Sequence, residues 1–470
     1  MAEEIHEPID RSGAAALALL AMMPFVDLGL LLESPRLGAA GAPFLVAYFV
    51  FCWPRLARVA KVMLMIALVL ALVAMFRPGG VDLLAMAASR FTFLPAFIAM
   101  LSLLRAAADQ SKTTAEAGAL LVRQPPGRRY LALTMGGHVF GILLNLGGLA
   151  LLIDMTRKAN TLEAGFGDPN VVEIRTRRMT LAVMRGFACI ALWSPLGVAL
   201  NLLLTLVPGL SWFDVAPYGF VAALGFMGLG YIFDRMEYPA PTRPPAKGDD
   251  HGGLRAVGIL IGHIVLLSAI TLVVEVITVL SFQAVLVNVV PLYALGWLLM
   301  EQRANPRAEG AGRFVLNAFR SGINRWPTQA NEISIFAASG VMGVVLAALV
   351  PQEALSQAIL ALGASAGVLA MIITAIVLVL GVIGVNPLVS CSILAATLST
   401  MTLPLSHANM VLALGGAWTI IIGFGPMLSL MVIVSGLVGR QPREIAFLWN
   451  GRFSVVAMVL WMIALYFIRI

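Results

Sequence analysis

Val385-Asn-Pro-Leu-Val-Ser-Cys-Ser-Ile-Leu-Ala-Ala-Thr-Leu398 lies inside Ala354 to Gly439, 86 residues without a single Asp, Glu, Lys or Arg. A membrane-spanning helix needs ~20 apolar residues, so this stretch has room for about three crossings. Proline within such a run removes a backbone donor and disfavours helix at the residue before it. Asn386-Pro387 therefore predicts a helix interrupted inside the bilayer. The ends of the two half-helices carry partial charges, N-termini attracting anions and C-termini cations. Ser390 and Ser392 add neutral donors and acceptors just beyond the break.

The rest of the chain fits that setting. It has 470 residues, 60% hydrophobic and 12% charged, with mean hydropathy +0.93. Soluble domains are nearer ~45–50% apolar and ~25% charged, which excludes a soluble enzyme, a nucleic-acid binder and a disordered scaffold. The net charge of +7 reads as basic loops held on the cytoplasmic side. Cys52, Cys189 and Cys391 lie far apart in or beside apolar runs and show no metal or disulfide spacing. Met1 to Arg11 lacks a basic n-region and a cleavage site, so the first apolar run is expected to remain as a helix. Charge-free runs then predict an all-α polytopic membrane protein of roughly 10–12 transmembrane helices in the cell inner membrane.

The loops sharpen this. Arg105 to Arg129 carries five basic and two acidic residues, and Asp154 to Arg178 five and four. If both loops are cytoplasmic, Tyr130 to Ile153 between them enters and returns as a re-entrant hairpin, a backbone tolerated only inside protein or beside a watery cavity. The alternative is that the weakly basic second loop is external. Asp234 to Arg255 is polar and rich in Pro and Gly, and reads as a linker near the midpoint.

Around that midpoint the sequence repeats. Trp193-Ser-Pro-Leu-Gly-Val-Ala-Leu-Asn-Leu-Leu-Leu-Thr-Leu206 aligns with 385–398 at five of 14 positions, Pro195 over Pro387 among them. Upstream, Gly137-His-Val-Phe-Gly lies over Ser339-Gly-Val-Met-Gly. Further back, 105–123 and 306–325 are polar stretches punctuated by apolar residues. The second, with Phe314, Val315, Leu316, Phe319 and Ile323, suits an amphipathic arm at the interface. Two pseudo-repeats follow, each with an arm, a Gly-rich hairpin and a Pro-broken helix. The segments are an N-terminal scaffold (1–104), a first arm, hairpin and broken-helix unit (105–233) and a cytoplasmic linker (234–254). A second scaffold (255–303), a second such unit (304–433), and a basic loop with a C-terminal helix (434–470) complete them.

This order resembles the ion transporter superfamily, whose best-known branch is the divalent anion–sodium symporters. The stretches carrying the likeness are Gly-His-Val-Phe-Gly, Trp-Ser-Pro-Leu, Ser-Gly-Val-Met-Gly and Val-Asn-Pro-Leu-Val-Ser. Asn331-Glu-Ile-Ser-Ile-Phe is similar to arsenite–citrate transporter relatives. The resemblance implies inverted repeats, a binding site between hairpin tips and helix breaks, and a homodimer. The symporter branch carries Ser-Asn-Thr at both hairpin tips. Here those places read Gly137-His138 and Ser339-Gly340, and no Ser-Asn-Thr occurs, which leaves the solute and the coupling ion open.

The candidate substrate-binding residues are Asn386, Ser390, Ser392, Ser194, Asn201, Gly137, His138, Ser339 and Gly340, with Pro195 and Pro387 as the helix breaks. The competing reading of each proline is a simple kink whose Ser and Asn satisfy backbone or pack between helices. His138, Asn145 and Glu275 are the ion-coupling candidates. Histidine titrates near ~6.5 when unperturbed, and His138 and Asn145 are seven apart, on one face if their helix is continuous. Glu275 is costly against lipid, on the order of 3 kcal/mol, unless it ends a helix at the interface. Arg90 and Asp27 are further intramembrane charges, and Arg90 can snorkel instead. No phosphate-binding loop, zinc cluster, His-Glu-x-x-His or Gly-x-Ser-x-Gly occurs.

The sequence thus reads as a non-enzymatic secondary active transporter working by alternating access. Its solute is small, an anion being one candidate, driven by an H+ or Na+ gradient, with no cofactor, metal or nucleic acid. The rival readings are an integral-membrane enzyme acting on a lipid-linked substrate and a non-transporting assembly subunit.

Overall fold

Every described element of the computed structural model is helical, and Pro or Gly stands at many of the element ends. The described residues are 11–238, 251–278, 280–307, 310–361 and 363–468. The first helices are α1 (Arg11–Leu31), α2 (Pro35–Ala39), α3 (Ala42–Cys52), α4 (Arg58–Met75), α5 (Gly80–Gln110) and α6 (Lys112–Arg123). Then follow α7 (Pro126–Leu144), α8 (Leu146–Ala159), α9 (Pro169–Ala188), α10 (Ile190–Trp193), α11 (Val198–Leu206) and α12 (Trp212–Glu237). The chain continues through α13 (His251–Ile277), α14 (Phe282–Ala304), α15 (Ala311–Asn324), α16 (Ala330–Leu349) and α17 (Gln352–Ala361). It ends with α18 (Ala366–Val382), α19 (Pro387–Leu398), α20 (His407–Phe424), α21 (Ser429–Val438) and α22 (Gly451–Phe467). Among the described residues ten helical stretches are long and apolar enough to cross a membrane, or eleven if α17 and α18 together make one. The chain is a multi-pass, all-α membrane protein. Residues 239–250 of the expected midpoint linker lie outside the described residues.

The described residues sort into two units that cut across the linear segments of the sequence. Residues 11–107 and 270–350 form one, and 108–269 with 351–468 the other. In the first, α16 lies along α4, and α1 packs against α3 and α14. Small residues allow the approach of α4, α5 and α16: Ala67, Ala74, Ala87, Ala338, Val341 and Val345 form one buried cluster. Polar pins hold the ends. Tyr48 Oη donates to the Trp326 carbonyl at 2.7 Å, and Trp326 Nε1 donates to Ser102 Oγ at 2.7 Å. Asn288 Nδ2 donates to Asp27 Oδ1 at 2.6 Å, which gives the intramembrane Asp27 a neutral partner.

The second unit holds both proline-interrupted helices. Its tightest helix pair is α7 on α9, with glycine on both sides of the contact. A Cβ on Gly186 would collide with the Thr134 carbonyl, and one on Gly137 with the Val183 carbonyl. The backbones therefore touch, as small residues permit in membranes. Serine caps start several helices: Ser406 accepts from Asn409 N at 3.1 Å at α20. At α12, Ser211 and Asp214 form a capping box.

Candidate functional site

The first break lies between α10 and α11. Pro195 offers no N–H, and Ser194 before it is extended (φ −64°, ψ 128°). The helix ending leaves carbonyls to satisfy. Asn201, one turn into α11, reaches back with Nδ2 to Pro195 O at 2.6 Å and Gly197 O at 2.9 Å. Ser194 Oγ and Asn201 Oδ1 are buried and have no hydrogen-bond partner among the described residues. Buried polar atoms left unpaired are costly and uncommon in native proteins. Two of them lie at this one helix break.

The second break is a complete stop and restart. Gly384 takes a left-handed φ of +102°. Val385 N donates to Leu380 O at 2.9 Å and Gly384 N to Gly381 O at 3.2 Å, the paired bonds of a Schellman stop. Asn386 then caps α19, its side chain accepting from Leu388 N at 3.0 Å, with Pro387 in the first turn. Ser390 Oγ donates to Pro387 O at 3.3 Å and Ser392 Oγ to Leu388 O at 2.5 Å. Both serines thus spend their proton on their own helix and keep only acceptor capacity.

The two breaks share neighbours. α11 packs against α19, and Ser399 Oγ donates to Leu206 O at 3.3 Å where both end. α20 packs against both helices. Thr374 of α18 donates to Ala413 O at 3.3 Å, and Cys391 of α19 lies 3.9 Å from Leu414 O. A turn further on, Thr419 donates to Ala188 O of α9 at 3.2 Å.

The hairpin expected between 130 and 153 forms from α7 and α8, which pack on each other. Its apex is Asn145, with φ +51°. That corrects two expectations. Gly137 and His138 lie two turns below the apex, inside α7, and are not the tip. His138 and Asn145 share no continuous helix face, because the helix ends between them. His138 instead meets the first break. Its ring stacks on Trp193 at 5.7 Å between centroids. Trp193 Nε1 donates to His138 Nε2 at 3.1 Å, and Nδ1 is 3.0 Å from the Gly186 carbonyl. An indole N–H only donates, so Nε2 is the acceptor and Nδ1 carries the proton. This is a neutral imidazole with both nitrogens occupied.

Ser339 and Gly340 also sit inside a helix, not at a tip. Ser339 Oγ donates to Ile335 O at 2.7 Å within α16. A Cβ on Gly340 would come 2.6 Å from the Arg90 carbonyl of α5. Both belong to the first unit, whereas Ser194, Asn201, Gly137, His138, Asn386, Ser390 and Ser392 belong to the second. Glu275, in the last turn of α13, is half-buried, and its Oε2 has no partner among the described residues. Arg90 makes no hydrogen bond or ion pair among them either.

No protein-family model matches the chain, and no curated protein matches it in sequence. Among solved structures, the crystal structure of the YdaH transporter of Alcanivorax borkumensis, described as revealing an unusual topology, superposes with a TM-score of 0.56. The match covers 87% of this chain and 96% of that one at 16% sequence identity. This chain shares the YdaH fold. At that identity the likeness concerns the fold alone, and the site of the present chain stands on its own residues.

Three functional candidates escaped the sequence reading. Gly384 was readable, since Gly-x-Asn-Pro supplies a helix stop, a cap and a first-turn proline in order. Arg185 in α9 was also readable as a charge between apolar residues. It is 6% exposed, and Asn450, which holds it, is 1% exposed. Asn450 follows a π-helical turn at Glu444–Trp449, and no periodicity announces that.

Proposed function

We propose that the protein is a secondary active transporter of the cell inner membrane, moving a small anionic solute in exchange or symport with H+ or Na+. The observation carrying this reading is that both helix breaks fall in one unit. Their second halves are in contact, α20 packs against both, and unpartnered Ser194 Oγ and Asn201 Oδ1 lie at the first break. Interrupted helices at membrane depth expose peptide groups that a passenger can replace. The shared fold with a transporter supports it. The anionic solute is argued from charge: α11 and α19 both begin at the breaks, and helix N-termini carry partial positive charge that favours anions.

Ser194, Asn201 and Asn386 are the contacts assigned to the solute or ion, with His138 holding Trp193 beside the first break. The test is uptake into proteoliposomes of a panel of radiolabelled carboxylates and oxyanions, under an inward Na+ gradient, an inward H+ gradient, or neither. Saturable, gradient-driven uptake of at least one anion is expected. Uptake of neutral or cationic solutes in its place would overturn the anionic reading.

A further inference from the structure

Arg185 carries a second argument, separate from the helix breaks. It sits in α9 with 6% of its surface exposed. Its hydrogen bonds run through two of its three nitrogens: Nε donates to Asn450 Oδ1 at 2.9 Å, and Nη1 to Tyr130 Oη at 2.9 Å and Gly230 O at 3.3 Å. The Phe453 ring covers the guanidinium at 4.1 Å. Every one of these partners is neutral. Asp234, one turn along α12 from Gly230, is already clamped by Arg178, which donates to its two oxygens at 2.8 and 2.7 Å. Nη2 has no hydrogen-bond partner among the described residues.

A cavity of about 10 Å³ borders this side chain, lined by Arg185, Cys189, Phe226, Thr419, Asn450 and Phe453 among others. Its lining contains no acidic side chain. That size admits one guest near the bulk of a water molecule. A buried full charge surrounded only by dipoles is poorly compensated, and the free donor on Nη2 belongs to the residue bearing the charge. We infer that this cavity is a binding site for a single monoatomic anion, a halide, held by the Arg185 guanidinium. An organic solute is too large for it. The halide would neutralise the arginine where α7, α9, α12 and α22 meet, and so brace the first arm of the hairpin through Tyr130.

The experiment uses the purified full chain in nanodiscs, with gluconate replaced stepwise by chloride at constant ionic strength. Saturable binding of radioactive chloride, one per chain, and a parallel rise in thermal stability are expected. Arg185→Gln should bind chloride roughly tenfold more weakly or not at all, as loss of a charge-assisted donor implies. No saturable binding to the wild type, or equal binding by Arg185→Gln, would overturn the inference. If that variant does not fold, wild-type crystals grown in chloride decide the matter by long-wavelength anomalous scattering. A peak beside Nη2 supports the site, and its absence refutes it. Solute uptake measured in chloride-free gluconate is a separate readout, so either result leaves the transport reading to its own test.

Discussion

At the scale of single residues, the pair His138 and Trp193 ties the hairpin to the first break. Trp193→Phe keeps the ring stack and removes the only donor that faces His138 Nε2 among the described residues. Leaving that buried acceptor bare should cost about 1–3 kcal/mol, read as a lowered melting temperature in detergent. Asn145 makes a second residue-scale prediction. Its φ of +51° is disfavoured for side chains branched at Cβ, so Asn145→Val should destabilise by ~1–2 kcal/mol while Asn145→Gly is tolerated. Equal melting temperatures for the two variants would contradict the hairpin apex. Outside the spans, at the end of α8, Lys158 hydrogen-bonded to Asp154, with Arg157 beside it, holds that carboxyl below the ordinary aspartate range despite some desolvation. A depressed folded-state value stabilises above the unfolded-state value and ceases to do so as pH falls through the folded one. Stability measured across that acid range should therefore fall less steeply in Asp154→Asn than in wild type, by a small margin because the pair is exposed. The chemistry at this scale was only partly legible. The sequence pointed to Ser194, Asn201 and Asn386 through their neighbouring prolines, and the structure places each at a break. It could not show that Ser390 and Ser392 bond their own helix, or that the ring nitrogens of His138 are both taken, because those partners are set by rotamers and by tertiary contacts 55 residues away.

At the scale of elements, two devices do most of the positioning. Glycine contact brings α7 and α9 to backbone distance, and proline with its neighbours interrupts α10–α11 and α18–α19. Gly186→Ala forces a methyl group into the Thr134 carbonyl. It should cost about 1–3 kcal/mol as an overpacked contact and loosen the hairpin, measurable as a lower melting temperature and faster proteolysis in the 160–168 loop. The number of crossings was readable: apolar runs predicted roughly 10–12 helices, and ten helical stretches among the described residues are long and apolar enough to span. The Gly-x-Asn-Pro stop follows from local chemistry. The hairpin apex was not readable. Gly-rich sequence drew attention to 137–138, but those glycines serve helix contact, and the turn falls on Asn145 instead. Small residues at close contacts and small residues at turns look alike in one sequence.

At the scale of the whole molecule, the all-helical membrane architecture was decided by hydropathy, since no other fold satisfies its backbone across so many apolar runs. The helix-turn-helix of α7 and α8 lies where the spacing of charge put a hairpin, whereas the second expected tip, Ser339-Gly340, lies inside the unbroken α16. The division into units was not legible in the sequence, because segments distant in sequence, 11–107 and 270–350, join through packing alone. The central claim is that the two proline breaks form the carrying site, and solute counterflow in proteoliposomes tests it most directly. Wild type, Pro195→Ala and Pro387→Ala are reconstituted at equal amounts after circular dichroism and gel filtration show each is folded. The account predicts saturable counterflow by wild type and a loss of roughly tenfold or more in each variant, as a displaced binding geometry implies. Full counterflow by both proline variants would contradict it.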